Sequence, residues 1–261
     1  MIFPQKINMN KMQEPYLITI PYSHYCELAR WVLDISKTQY KEMKYIPVYH
    51  AQIVGKLRKK KENRSNSSFA GQESGHHGGR RKYSVPLVVM PNGIIYKDSW
   101  EILETFFGAV DKKWKEILDN KIGIATRQLA YYFYLDPKNK SLINNIIKQA
   151  ITAERLFWFL FEKKIRKSMY ELMAMTETNI ETSKKIILEI FEQASKRLEL
   201  NPYSITEESN FSPTDLAFCA LGSIVILPKN YSRNLIKMAN LEDHPDEYKE
   251  IIKMCRATKA G

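Results

Sequence analysis

The feature that most constrains this chain is the place where its strand signals stop. From Lys112 onward apolar residues recur every three or four positions, in long amphipathic stretches at about 112–135, 141–174, 178–199, 212–227 and 231–256, the last broken near Pro245. That is the helical period, and no strand signal interrupts it. Before that point strand and helix signals alternate. The sequence therefore predicts an α/β unit over 15–108 followed by an all-helical unit over 112–257, with the boundary between Gly108 and Lys113.

Within the first unit, the apolar run Tyr16 to Ile20, closed by Pro21, predicts a buried strand. Leu28, Ala29, Val32 and Leu33 then fall on one helical face, with Glu27, Arg30 and Asp34 opposite. Tyr45 to Tyr49 predicts a second strand, at an edge because Pro47 has no N–H to give to a ladder. Val85 to Met90 and Ile94 to Tyr96, joined through Asn92-Gly93, predict a hairpin, since Asn-Gly supplies the positive φ angles of a tight turn. Asp98 opens a helix with Glu101 at capping-box spacing and Ile102, Leu103, Phe106 and Phe107 along one face. Ser212, Pro213 and Asp215 read as an N-cap, a first-turn proline and an acid three residues on, ahead of the apolar run Leu216 to Leu227, which predicts a buried helix.

Charge is concentrated. Between Gly55 and Ser84, nine cations (Lys56, Arg58, Lys59, Lys60, Lys61, Arg64, Arg80, Arg81 and Lys82) face only Glu62 and Glu73, so this segment holds +7 of the formal +11. Its Gly, Ser, Asn and charge content leaves few side chains to bury, which predicts a mobile basic insertion over about 55–84. The run lacks the interleaved aromatics of a nucleic-acid platform. His76-His77 has no third ligand at metal spacing, so no metal is expected. Cys26, Cys219 and Cys255 are too few and too scattered for a disulfide framework, which fits a reducing compartment. The first fifteen residues have no apolar core of signal-peptide type and no apolar run reaches a membrane span, so the expected location is cytoplasmic.

Three stretches taken in order resemble the cytosolic glutathione transferases: Pro21 to Trp31, Val85-Pro86 followed by Lys97 to Leu103, and Phe211 to Leu221. The resemblance spans most of 15–255. It implies a thioredoxin-like α/β domain followed by an all-α helical bundle, with glutathione as co-substrate. On it, Ser23 at the start of the first helix would hydrogen-bond the glutathione sulfur. Tyr22 and Tyr25 are the other hydroxyls in reach. Cys26 stands where glutaredoxins have their second active-site cysteine, but with Ser23 in the first place no dithiol cycle is available. Val85-Pro86 would be the cis-proline element whose backbone pairs with the cysteinyl part of glutathione. Asp98 and Ser99 would meet the γ-glutamyl end.

The family's short helix before the cis-proline is replaced in this reading by the basic insertion, leaving His50, Arg80, Arg81 or Lys82 for the glycyl carboxylate. The resemblance further implies a small hydrophobic electrophile, a detoxifying conjugation or reduction, and a homodimer. Candidate lining residues for the electrophile are Tyr131, Tyr132, Phe133, Tyr134, Phe157, Trp158 and Phe159; adjacent aromatics point different ways on a helix, so at least half of them must serve elsewhere. The alternative is a non-catalytic binding or scaffold protein whose basic segment docks an acidic partner or an anionic membrane.

Overall fold

The computed structural model describes residues 12–62, 83–148, 150–229, 231 and 240–261. Strand β1 (Tyr16–Thr19) leads into helix α1 (His24–Ile35), then β2 (Lys41–Lys44) and α2 (Tyr49–Glu62). The hairpin β3 (Leu87–Val89) and β4 (Ile95–Tyr96) follows, then α3 (Ser99–Phe107). The four strands form a sheet in the order β2-β1-β3-β4, with β1 and β2 parallel and the other pairs antiparallel.

From Lys112 on, the described residues are helical: α4 (Lys112–Ile117), a π-helical turn (Leu118–Ile122), α5 (Gly123–Leu135), α6 (Lys140–Ile147), α7 (Thr152–Leu172), α8 (Glu177–Leu200), α9 (Pro213–Ile226) and α10 (Asp246–Arg256). The α/β unit followed by helices is as the sequence predicts. α9 is the buried helix: its capping box forms in both directions, and residues 214–218 and 220–225 are all buried. None of the described helices is long and apolar enough to cross a membrane.

Two expectations need correction. The second strand is Lys41–Lys44, not Tyr45 to Tyr49. It is an edge strand in which only Met43 is buried, so it lacks the apolar run that marks a central strand. Tyr45 still donates its N–H to Thr19 O at 2.9 Å before the chain turns into α2.

The basic insertion begins as helix, not as loop. α2 runs through Glu62, because Val54 and Leu57 are buried and Tyr49 and Ile53 pack beside them, a helical spacing that the Lys/Arg composition disguises. Lysine and arginine are themselves good helix formers. A helix therefore does precede the cis-proline. Residues 63–82, with Arg80, Arg81, Lys82, His76 and His77, lie outside the described residues.

Candidate functional site

Strand direction assembles the site. β1 and β2 are parallel, and β4 runs the same way because two antiparallel pairings separate it from β1. The C-terminal ends of all three therefore meet one edge of the sheet, and the start of β3 lies there too. Each of those three strand ends is followed by a helix N-terminus: α1 after β1, α2 after β2, α3 after β4. The positive ends of three helix dipoles converge on that edge, a setting that favours an anion.

Ser23 is the N-cap of α1, with extended backbone (φ −81°, ψ 120°), and its Oγ accepts from Cys26 N at 3.4 Å. It is partly exposed. The two neighbouring phenols turn away from this position. Tyr22 is buried, its ring 5.4 Å from that of Tyr131, and its carbonyl accepts from the Tyr231 hydroxyl at 2.9 Å. The Tyr25 hydroxyl is directed at Asp119 O, 3.5 Å away, and abuts Gly123. Burial pushes the Cys26 thiol up to about 11, so it stays protonated and inert.

Val85-Pro86 is cis, one residue before β3. The pairing of Ile18 with Leu87 brings it alongside the end of β1, next to the turn that presents Ser23. Asp98 caps α3, its Oδ1 accepting from Trp100 N at 2.8 Å and Glu101 N at 2.9 Å. Those two amides are thus taken by the cap, and Ser99, buried behind it, is the first helical residue. Glu101 completes the turn from the other side by accepting from Lys97 N.

His50 lies in the first turn of α2 with polar contacts to the backbone of Ile46 and Tyr83. Burial pushes its pKa down to about 4, so at neutral pH it offers a neutral imidazole rather than a cation. The named positions Ser23, Val85, Pro86, Asp98, Ser99 and His50 all fall at the same sheet edge.

Of the seven aromatics considered for a second substrate, Tyr131, Phe133, Tyr134 and Trp158 are core, Tyr132 is half-buried against Tyr170 of α7, and Phe159 is exposed. Phe157 is the one that reaches the sheet edge, its ring 5.6 Å from Tyr49 at the start of α2.

Three residues near the site are invisible in the sequence. Buried Glu154 of α7 accepts from Ile46 N at 3.0 Å, fixing the entry to α2. Buried His24 bonds Gly123 O through Nε2 at 3.0 Å; since a carbonyl only accepts, Nε2 carries the proton. Arg127 holds its guanidinium carbon 5.9 Å from the Tyr25 ring centroid, adding a cation beside the first turn of α1. Their partners lie about a hundred residues away along the chain, and no local signal could have paired them.

No family model matches the sequence, and no curated protein matches it. Among solved structures, a glutathione S-transferase of Ceriporiopsis subvermispora in complex with glutathione is similar over 94% of this chain and 97% of that one, at 11% identity and a TM-score of 0.51. A glutathione S-transferase from Sinorhizobium meliloti is similar over 92% of each chain, at 13% identity and a TM-score of 0.44. Glutaredoxin 2 from Salmonella typhimurium in complex with glutathione is similar over 93% of this chain and 96% of that one, at 11% identity and a TM-score of 0.43. The fold, a thioredoxin-like sheet followed by a helical region, is that of the glutathione transferases.

Proposed function

We propose that this protein binds glutathione at the sheet edge and acts as a glutathione transferase, with the Ser23 hydroxyl donating to the glutathione sulfur. The observation that carries this reading is the meeting of Ser23, the cis Val85-Pro86 peptide and the Asp98-capped start of α3 at one edge, where three helix N-termini converge. A free thiol, with a pKa of about 8.5, is only a few per cent thiolate at neutral pH. A hydroxyl donor together with a helix dipole favours the anion, and about 2.7 kcal/mol of such preference lowers the pKa by about two units.

In this reading the backbone of Val85 pairs with the cysteinyl part of glutathione. Asp98 and Ser99 meet its charged amino-acid end, and His50, its ring held by the backbone of Ile46 and Tyr83, fixes the start of α2 that faces the glycyl side. The thiolate then attacks an electrophilic carbon, forming the C–S bond while the leaving group departs with its electron pair. Alternatively it attacks a peroxide oxygen, breaking the O–O bond: the alkoxide leaves and takes up a proton, the sulfur becomes a sulfenic acid, and a second glutathione thiol reduces this to the disulfide with loss of water. A small hydrophobic electrophile would lie against Phe157 and Tyr49, between the sheet edge and α7. The homodimer implied by the family belongs to the same proposal.

The test begins with a glutathione titration followed by tryptophan fluorescence, then conjugation of a model aryl halide at pH 7. Wild type should bind saturably and conjugate. Ser23→Ala should still bind but lose between about 3-fold and 25-fold in rate at pH 7, the thiolate ratios for one to two pKa units, because the helix dipole remains. Ser23→Thr keeps a hydroxyl and the helix cap and should retain most of the rate. Wild-type rate in Ser23→Ala removes the assigned role, and no binding by wild type removes the enzyme reading in favour of a binding module.

A further inference from the structure

α7 is a long helix only lightly absorbed into the core. Of its 21 residues only Glu154, Trp158, Ile165, Arg166 and Met169 are buried, and they share one face. The opposite face carries Leu156, Phe159 and Leu160, which are 58%, 80% and 60% exposed. One and two turns farther along the same face stand Lys163, Lys164 and Lys167, all exposed. Lys163 and Lys164 enter no ion pair among the described residues, and Lys167 approaches Glu171 only at 3.9 Å. A run of bulky apolar side chains left in water on one helix face marks an interaction surface.

Charge decides what covers it. The apolar group is bordered by Lys163, Lys164 and Lys167, with Glu171 the acid beside them, so the same face of a second copy offers these cations little counter-charge, and the proposed homodimer would use another face. An anionic lipid surface satisfies both parts at once: Phe and Leu enter the headgroup–acyl boundary while the lysine ammonium groups reach the phosphates above it. We propose that α7 seats this protein on the surface of an anionic bilayer, lying in the interface plane with Leu156, Phe159 and Leu160 inserted and Lys163, Lys164 and Lys167 on the headgroups. This docking is independent of the glutathione reading. Phe157, on the flank of the same helix, packs on Tyr49, so the seated face and the sheet edge are neighbours.

Sedimentation of the full chain with vesicles tests the proposal, using phosphatidylcholine alone or phosphatidylcholine with one third phosphatidylserine. Wild type should sediment with the anionic vesicles, remain in solution with the neutral ones, and be released as salt is raised. Phe159→Glu with Leu160→Glu should abolish sedimentation, while circular dichroism stays unchanged because both side chains are exposed. Lys163→Gln with Lys164→Gln should weaken it by about 25-fold, at about fivefold per lysine. The proposal is overturned by a wild type that stays in solution with both vesicles, or by a Phe159/Leu160 variant that sediments like wild type, which would put the attraction elsewhere on the chain. It is equally overturned if the variant converts a dimer to a monomer in light scattering without altering vesicle binding, since the face would then be covered by a second copy.

Discussion

The first turn of α1 joins the two halves of the molecule through a histidine that must stay neutral. Burial, with the Arg127 charge adding to it, pushes the pKa of His24 down to about 3, while burial holds His50 at about 4. An unfolded histidine titrates near 6.5. Below that pH the unfolded chain takes up protons that the native one refuses, so the contribution of these residues is complete above about pH 6.5 and is lost as pH falls toward their native values. Each contributes a slope of about 1.4 kcal/mol per pH unit, and the two together about 2.7. Glu154, whose pKa burial raises, works in the opposite sense at the acid end of this range. Urea midpoints measured at pH 7, 6 and 5 should therefore fall steeply below pH 6.5, and His24→Gln, which keeps a donor toward Gly123, should halve the slope. A flat profile down to pH 5 would show that these rings titrate freely.

At the scale of elements, the sharpest junction is the start of α9. The Asp215 carboxylate accepts from Ser212 N at 2.8 Å, Ser204 Oγ at 2.7 Å and Ile205 N at 2.7 Å, all of them buried. One side chain thus closes the capping box opened by Ser212 and ties down the loop before it. Asp215→Ala leaves the buried Ser212 and Ile205 N–H groups without an acceptor while the Ser212 cap itself remains, and should cost about 2–4 kcal/mol. Asp215→Asn, which keeps one acceptor oxygen, should cost less, and thermal melts of the two variants check the order. Such local devices are what the sequence displays openly: Ser212 with Asp215, Asp98 before its helix, and Asn92-Gly93 in its turn are each read within four residues. α2 and β2 were harder for a physical reason. Helical spacing of Tyr49, Ile53, Val54 and Leu57 is masked by the lysine run that follows, and β2 has one inward apolar residue, its Glu42 being held instead by Thr19 and Arg30. The same division runs through the candidate site. Ser23, Val85-Pro86 and Asp98 stand at strand ends that the pattern predicts, whereas Glu154, His24 and Arg127 act across contacts that only the folded chain makes.

Across the whole molecule, the two halves share a core. One apolar cluster contains Leu28, Val32 and Leu33 of α1, Ile102 and Leu103 of α3, Leu129 of α5 and Ala217, Leu221 and Ile224 of α9. Polar ties cross the same junction: Tyr231 to Tyr22 O, His24 to Gly123 O, and Asp111 N to Thr214 Oγ1 at 3.0 Å. Neither half buries its surface without the other, so the chain should unfold in a single transition, with tryptophan fluorescence and far-ultraviolet circular dichroism coinciding. Gly123 lies at the centre of this junction. A Cβ there would stand 2.3 Å from the Tyr25 hydroxyl and 2.9 Å from Leu118 O, and the latter is backbone that cannot step aside. The missing side chain lets the π-helical turn bring α5 against the first turn of α1. Gly123→Ala should overpack this contact at a cost of about 1–3 kcal/mol, lowering the melting temperature by about 2–12 °C. Because the junction is common to both halves, the variant's melt should shift as a whole and remain one transition by both probes. If fluorescence and circular dichroism separate in the variant or in wild type, the halves fold as independent units and the shared core does not couple them.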